Sequence, residues 1–455
     1  MGRKRDNKAP PLRPPRPPNY LTQFISTKTS LGKHVLERIE EDGYCILPSI
    51  LSKEECAEEY NRLWSFVEKT SPGVCRSNPD SWYPDKKQTV PPDTASGDDD
   101  DDDKTTTPPL DPWPHSGWAN LPDMCQSYQG GWLFSNLRTK LAKRIFEPLY
   151  NTKLLHSSKE GFTFHRPTCP SLVSDASRFI HPAIGKKRPR VAGMEQTRTN
   201  GDHFDQRAVD IGLQCIQSST ALLDQEENYD GCFMCWPGSH KMHPAMTKGT
   251  WRGRSDWVPL TDGECDALRE AGYAEKRVAV KAGDVILWRS DLAHCGAAPL
   301  GHVTTFRAVS YTCMLPAKMT DQGDEQKGKE EEEKKKNGEQ HPELIGGETM
   351  LARKYSEYAS MQTGDHRPDL ASMPHMQAPK SNGAEYMQPY FHDGPPELTW
   401  RQAELYGLVP YMVEHENESK EEEGCDNSED FVIFRKCEME RAIRRGVRFQ
   451  EEEFT

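Results

Sequence analysis

From Asp202 to Leu315 the chain is written in short apolar or alternating runs broken by Gly, Pro and Asp. That texture constrains the fold more than any other feature of the 455 residues. Runs so short cannot complete the turns of a buried helix, whereas alternation with a period of two buries one face of a strand. The stretch is therefore expected to be an all-β sandwich or barrel. Upstream, helical periodicity over Leu31 to Glu40 leads into Gly43 to Pro48, which alternates enough for a short strand. A second helix follows, with Ser52 at the N-cap, Glu55 three residues on to complete a capping box, and Cys56, Tyr60, Leu63, Trp64 and Val67 as its apolar stripe. A helix is expected from Leu137 to Tyr150, and strand from Leu154 to Pro167. No internal repeat is visible.

Charge divides the rest. The formal net charge is -13, from 58 basic and 71 acidic residues. The tracts Asp98 to Lys104, Asp321 to Gln340 and Glu414 to Asp430 carry -5, -3 and -8, which leaves about +3 for everything else. The acidity thus reports solvated linkers, and the remainder is too weakly basic for a nucleic-acid partner. The organisation expected is a disordered, basic, proline-rich tail over 1–20 and a main domain over 21–320. That domain carries a flexible acidic insertion near 79–110 and a basic loop near 170–198. A charged linker over 321–341, a helical cover over 342–412, and an acidic linker with C-terminal segment over 413–455 would follow. Thirteen Cys at irregular spacing, with no secretory leader, read as reduced thiols of a cytoplasmic protein, with the nucleus as the alternative compartment and secretion excluded. No run approaches 18 apolar residues, so no membrane association is expected.

Of the 15 His, one is followed two residues later by Asp, in Gly201-Asp202-His203-Phe204-Asp205. On a strand those two side chains share a face while Phe204 points away. A metal held by two His and one carboxylate needs a third donor from elsewhere. His294 is the candidate, after Gly283-Asp284 and the apolar Val285-Ile286-Leu287-Trp288, read as a strand running to a His at its far end. A lone His in such a stretch is ordinarily a satisfied core residue. The next segment changes that: Thr305, Arg307, Val309 and Tyr311 alternate onto one face, and an Arg aimed into an interior costs several kcal/mol unless an anion meets it. The anion is either a buried carboxylate of the protein or the distal carboxylate of a dicarboxylate cosubstrate.

These residues resemble the phytanoyl-CoA dioxygenase family of iron(II) and 2-oxoglutarate dependent oxygenases. The likeness covers Glu40 to Pro48 with Leu51 to Glu55, His203-Phe204-Asp205, Asn228-Tyr229-Asp230-Gly231-Cys232, Pro237-Gly238-Ser239-His240, Gly283-Asp284, His294 and Arg307, in that order over roughly 35 to 316. It implies a mainly β fold with flanking helices, a double-stranded β-helix of jelly-roll, cupin-like form. It also implies His203, Asp205 and His294 as ligands of Fe(II), with Arg307 gripping the C5 carboxylate of 2-oxoglutarate. Gln217, Ser219 and Arg166 are further candidates for cosubstrate contacts. The implied activity is hydroxylation of a small or medium organic molecule with release of succinate and CO2, supported by ascorbate; retention of Asp205 favours this over the halogenation of relatives that lack the carboxylate. The 13-residue gap from His294 to Arg307, spanning Pro299 and Gly301, is slightly long for the family.

Two other functions stand against this one: a jelly roll that keeps its ligands without turnover, and a cupin-type metal-dependent isomerase, which would leave Arg307 without a role. Cys232 and Cys235 with His240 and His243 could suggest zinc, but i and i+3 on a strand face opposite sides. His341-Pro342-Glu343 adjoins a charged tract and reads as solvated. Lys186-Lys187-Arg188-Pro189-Arg190, with Arg178 and Arg198, reads as a solvated loop before a nuclear signal; at the mouth of a site it would favour an anionic substrate.

Overall fold

The computed structural model of the protein describes residues 15–83, 113–114, 129–167, 201–226, 230–249, 256–297, 305–317, 350–364, 366–368, 390–411 and 429–454. Residues 84–110 of the acidic insertion, the basic loop with Lys186 to Arg190, Arg178 and Arg198, the tract from Asp321, His341 to Glu343, Asn228, Tyr229, Pro299 and Gly301 lie outside those residues.

Eleven strands are found among the described residues: β1 Tyr44–Leu47, β2 Leu155–Ser157, β3 Phe162–His165, β4 His203–Phe204, β5 Ile216–Ala221, β6 Cys232–Cys235, β7 Val258–Pro259, β8 Lys276–Val278, β9 Val285–Arg289, β10 His294–Ala297 and β11 Arg307–Pro316. They form two antiparallel sheets. One runs β1-β9-β5-β11-β2 with β3 also on β11, the other β7-β4-β10-β6-β8. With β1, β2 and β7 set aside as additions, the eight remaining strands in chain order fall first-eighth-third-sixth in one sheet and second-seventh-fourth-fifth in the other. That order is the jelly roll, two interleaved Greek keys in which successive strands cross between sheets.

β9 shows why its sequence reads as one apolar run. Val285 and Leu287 pack outward into the largest core with α1 (Ser30–Glu41) and α2 (Lys53–Thr70), while Ile286 and Trp288 point inward to Tyr44, Ala221, Phe233 and Val280. Both faces are covered, so no polar alternation survives. The two helices are fixed by their ends. Thr29 accepts from Gly32 N at 3.0 Å, and Ser52 with Glu55 forms the capping box read from the sequence. Along α2 the side chains of Cys56, Leu63, Trp64, Phe66 and Val67 are buried. Trp64 meets the rings of Trp82, Trp113, Phe164 and Phe306 at 5.2–5.7 Å, edge-on or tilted.

Three expectations are corrected. Residues of the proline-rich tail are docked: Gln214 Nε2 donates to Pro17 O at 2.9 Å, and Asn19 N to Ile211 O at 2.9 Å. The start of the 79–110 insertion is a short 3-10 turn, Pro79–Trp82, whose Trp82 packs against the main core. The all-β stretch includes a helix, Asp262–Glu270, under a second capping box of Thr261 and Glu264, a pair present in the sequence but not singled out. The C-terminal region also builds a core of its own, in which Trp132, Tyr358, Trp400 and Tyr406 meet Met439 and Ala442 of the helix Glu429–Arg444. Among the described residues no helix is long and apolar enough to cross a membrane.

The Gly283-Asp284 turn sets β9 in place. Gly283 has φ +93°, and a Cβ there would lie 2.3 Å from Leu51 O. Asp284 accepts from Ser49 N at 2.9 Å and Lys281 N at 2.8 Å. Gly283→Ala is expected to cost about 3 kcal/mol, from left-handed strain plus a backbone clash. The check is the urea unfolding midpoint, which should fall while a Gly73→Ala control, with nothing within 4 Å, leaves it unchanged.

Candidate metal centre

His203 opens its strand beside β10 and β7, and Asp205 follows just past the strand's end, its N–H on Ser290 O at 2.9 Å. His294 does not end the apolar strand as the sequence reading had it. The chain turns at Ser290–Ala293, and His294 begins β10 directly opposite His203. The turn is needed because β9 lies in one sheet and β10 in the other. Ser239 of the Pro-Gly-Ser-His motif braces it, accepting from Ala293 N at 3.0 Å, while Gly238 N donates to Asp42 O at 2.8 Å.

The three side chains converge. One donor atom from each lies within 4.8 Å of the others, and this is the one such His/Cys/Asp/Glu group among the described residues. His203 Nε2 is 3.6 Å from Asp205 Oδ1 and His294 Nε2 is 3.4 Å from Asp205 Oδ2. Each ring is turned by its other nitrogen: His203 Nδ1 meets Gly201 O at 3.0 Å and His294 Nδ1 meets Leu292 O at 2.9 Å. A carbonyl accepts only, so each Nδ1 donates to its carbonyl and each Nε2 is left facing Asp205. Burial pushes the His203 imidazole below its usual range against the pull of Asp205. Burial works against an ionised Asp205 too, but the His203 charge, the bond to His294 and the charge of His366 outweigh it and hold the carboxyl well below the usual range. The site is thus a carboxylate facing two imidazoles, the donor set that suits a non-haem ferrous ion. Phe233 and Trp288 flank the His294 ring at 5.7 and 5.4 Å, and Trp257 lies 6.0 Å from the His203 ring.

Gln217 faces this group from β5, and its amide donates to Asp205 Oδ2 at 2.9 Å. Its nearest role in the structure is to hold that carboxylate. Gln217→Leu is expected to weaken metal binding by about 10–100-fold, measured by Co(II) titration. Ser219, two residues along the same face, is opposite Tyr311 and Ile286.

Arg307 opens β11 in register with His165 of β3 and is 4% exposed. Its Nε donates to Gln225 Oε1 at 3.3 Å, and its Nη1 has no hydrogen-bond partner. Nor do both ring nitrogens of His165 or Gln225 Nε2, all buried. Burial, then Arg307 and Arg166, hold His165 well below the usual imidazole range, so it is neutral. A Cβ on Gly231 would lie 3.1 Å from His165 Nδ1 and 3.2 Å from Arg307 Cδ, so the glycine keeps this polar recess open. Buried donors left unmatched around a guanidinium fit an absent carboxylate. Along β10 the recess lies level with Ala297, three residues or roughly 10 Å from His294.

Sequence reasoning missed His165 and Gln225. It named Arg166, but Arg166 projects to the other face of the strand, where it bonds the Trp82 carbonyl and lies 5.2 and 5.4 Å from the Tyr83 and Trp113 rings. The register His165↔Arg307 was the signal, and it needs the pairing of β3 with β11 to be known. Cys232 and Cys235 pack into different clusters on opposite faces, as alternation requires.

The family model of phytanoyl-CoA dioxygenase (PhyH) matches residues 150–301. No curated protein sequence matches the chain significantly. Among solved structures, AviO1 from Streptomyces viridochromogenes Tue57 is similar at 16% identity and TM-score 0.30, over 62% of this chain and 93% of its own. EctD from S. alaskensis, solved with 2-oxoglutarate and 5-hydroxyectoine, is similar at 13% and 0.36 over 68% and 84%. HygX from Streptomyces hygroscopicus, with nickel, 2-oxoglutarate and hygromycin B bound, is similar at 15% and 0.29 over 62% and 86%.

Proposed function

We infer, from a chain that carries a phytanoyl-CoA dioxygenase domain over residues 150–301, that this protein is an Fe(II)- and 2-oxoglutarate-dependent dioxygenase. It hydroxylates a small or medium organic molecule and releases succinate and CO2. The observation that carries the reading is the pairing of two features in one chamber: a His203, Asp205, His294 group with both imidazoles turned by carbonyls, and a buried recess of unmatched donors around Arg307.

Bound at the triad, ferrous iron supplies dioxygen activation coupled to oxidative decarboxylation of the keto acid. The chain's own residues do the rest. His203 and His294 each hold a proton at Nδ1 on a backbone carbonyl and keep Nε2 free to ligate. Asp205 stays ionised and is aimed by Gln217. Arg307, with His165 and Gln225 beside it, takes the distal carboxylate of the keto acid in a bidentate fork. Phe233 and Trp288 exclude water from the His294 side.

The test needs no substrate. Purified protein given Fe(II), ascorbate and 2-oxoglutarate is expected to form succinate slowly, and a chelator should stop it. A protein that binds both yet never forms succinate, alone or with a metabolite mixture, would be a binding module instead.

A further inference from the structure

Each imidazole of the metal centre has aromatic neighbours, and the two sides differ in exposure. On the His294 side, Phe233 and Trp288 are 4% and 3% exposed. On the His203 side stands Trp257, its ring 6.0 Å from the imidazole and 45% exposed. The pairing of β4 with β7 puts it there. His203 lies opposite Pro259 and Phe204 opposite Val258, so one step further in that register Trp257 comes level with Asp205. Alternation buries Phe204 and Val258 in the outer cluster with Trp236 and Leu268, and turns Trp257 onto the face that carries the metal ligands.

β7 is the edge of its sheet, whose order is β7-β4-β10-β6-β8. The recess around Arg307 lies toward β6, where Gly231 precedes the strand and a Cβ on it would be 3.2 Å from Ala297 O. The cosubstrate recess and the half-exposed indole are therefore on opposite sides of the triad. With the β6 side given to the keto acid, the β7 side is left to the primary substrate. Buried charge holds that side in place: Arg367, 1% exposed, lies 3.6 Å from Asp256 and 3.7 Å from Asp210. Asp256 precedes Trp257, and Asp210 sits between Val209 and Ile211, 52% and 45% exposed. Exposed apolar side chains on adjoining segments beside a site mark a surface that a ligand covers.

We propose that Trp257 is the platform on which the primary substrate lies, and that this substrate presents an uncharged apolar face, ring or chain, beside the carbon to be oxidised. This rests on the reading of the triad as an iron site. An indole left half open costs hydrophobic free energy that a covering partner recovers. Its approach to His203 puts that partner next to the metal ligands.

Benzyl alcohol is the probe, with tetramethylammonium as the cationic counterpart, because an indole face also attracts cations. The full chain is loaded with 2-oxoglutarate and either Co(II) or diamagnetic Zn(II), and each probe is titrated by proton NMR. The ring protons of benzyl alcohol are expected to broaden with Co(II) and not with Zn(II). Trp257→Ala should weaken this binding about tenfold and Trp257→Gln should do the same, while Trp257→Phe, which keeps a ring, stays within about threefold of wild type. Ile433→Ala, 59% exposed on the helix Glu429–Arg444, is the control for unspecific adsorption and should change nothing. Co(II) and 2-oxoglutarate affinities should be unchanged throughout. With Co(II) bound, the proposal alone is overturned by benzyl alcohol that never broadens, by binding unaltered in Trp257→Ala and Trp257→Gln, or by tetramethylammonium binding in its place. Wild-type protein that binds no Co(II) overturns the iron reading and the proposal with it. Should Trp257→Ala fail to fold, the Gln and Phe variants decide.

Discussion

Replacing His203, Asp205 or His294 with Ala should abolish substrate-free succinate formation and weaken Co(II) binding by more than about 100-fold. The magnitude follows from comparison: groups that merely orient a ligand are worth about 10–100-fold, so loss of the ligand itself must exceed that. The three are not interchangeable in consequence. His203→Ala and His294→Ala each remove one imidazole and leave Asp205 with the other. Asp205→Ala removes the charge that both rings face at 3.4–3.6 Å and frees Gln217 from its bond at 2.9 Å. Folding should survive in all three, since the braces of the loop, Ser239 on Ala293 and Asp205 N on Ser290, do not involve the replaced atoms. Circular dichroism and succinate by mass spectrometry check the two halves of this claim, and an Asp205→Ala protein with undiminished succinate would remove Asp205 from the ligand set.

The second large effect belongs to Arg307. Truncating one member of a buried, hydrogen-bonded charge pair costs about 2–5 kcal/mol, so Arg307→Ala should raise the KM for 2-oxoglutarate by roughly 30- to 3,000-fold. Co(II) affinity in the absence of the keto acid should not move, because no atom of Arg307 is among those the triad uses. Arg307→Lys keeps charge but not the planar fork, and it should recover only part of the loss. Equal KM values in Arg307→Ala and wild type would mean that the recess holds something other than the cosubstrate.

Much of this was readable from residues alone, and the reason is local. The capping box at Ser52 and Glu55 depends on neighbours three apart, and the shared wall of His203 and Asp205 on neighbours two apart. His294 and Arg307 were reachable because a charged or imidazole side chain in an apolar strand needs a partner. Failures came where the deciding contact is remote. His165 shares its wall with Arg307 only through a register between strands separated by over 140 residues, and sequence spacing favoured the more conspicuous Arg166 beside it. The helix Glu429–Arg444 was hidden for the same reason: its first residues belong to the acidic run Glu414 to Asp430, and Met439 and Ala442 gain meaning only against Trp400 and Phe449.

The strand order carries one more consequence. β11 stands between β5 on one side and β2 and β3 on the other, yet it begins six residues after the family match ends at 301. An expressed fragment trimmed to the matched stretch would lose the strand that joins the halves of its larger sheet, and with it the guanidinium at that strand's first position. Expression boundaries for crystallisation or assay should accordingly run past the end of β11 at Pro316, because the smallest piece able to fold is set by hydrogen-bonded neighbours rather than by similarity along the chain.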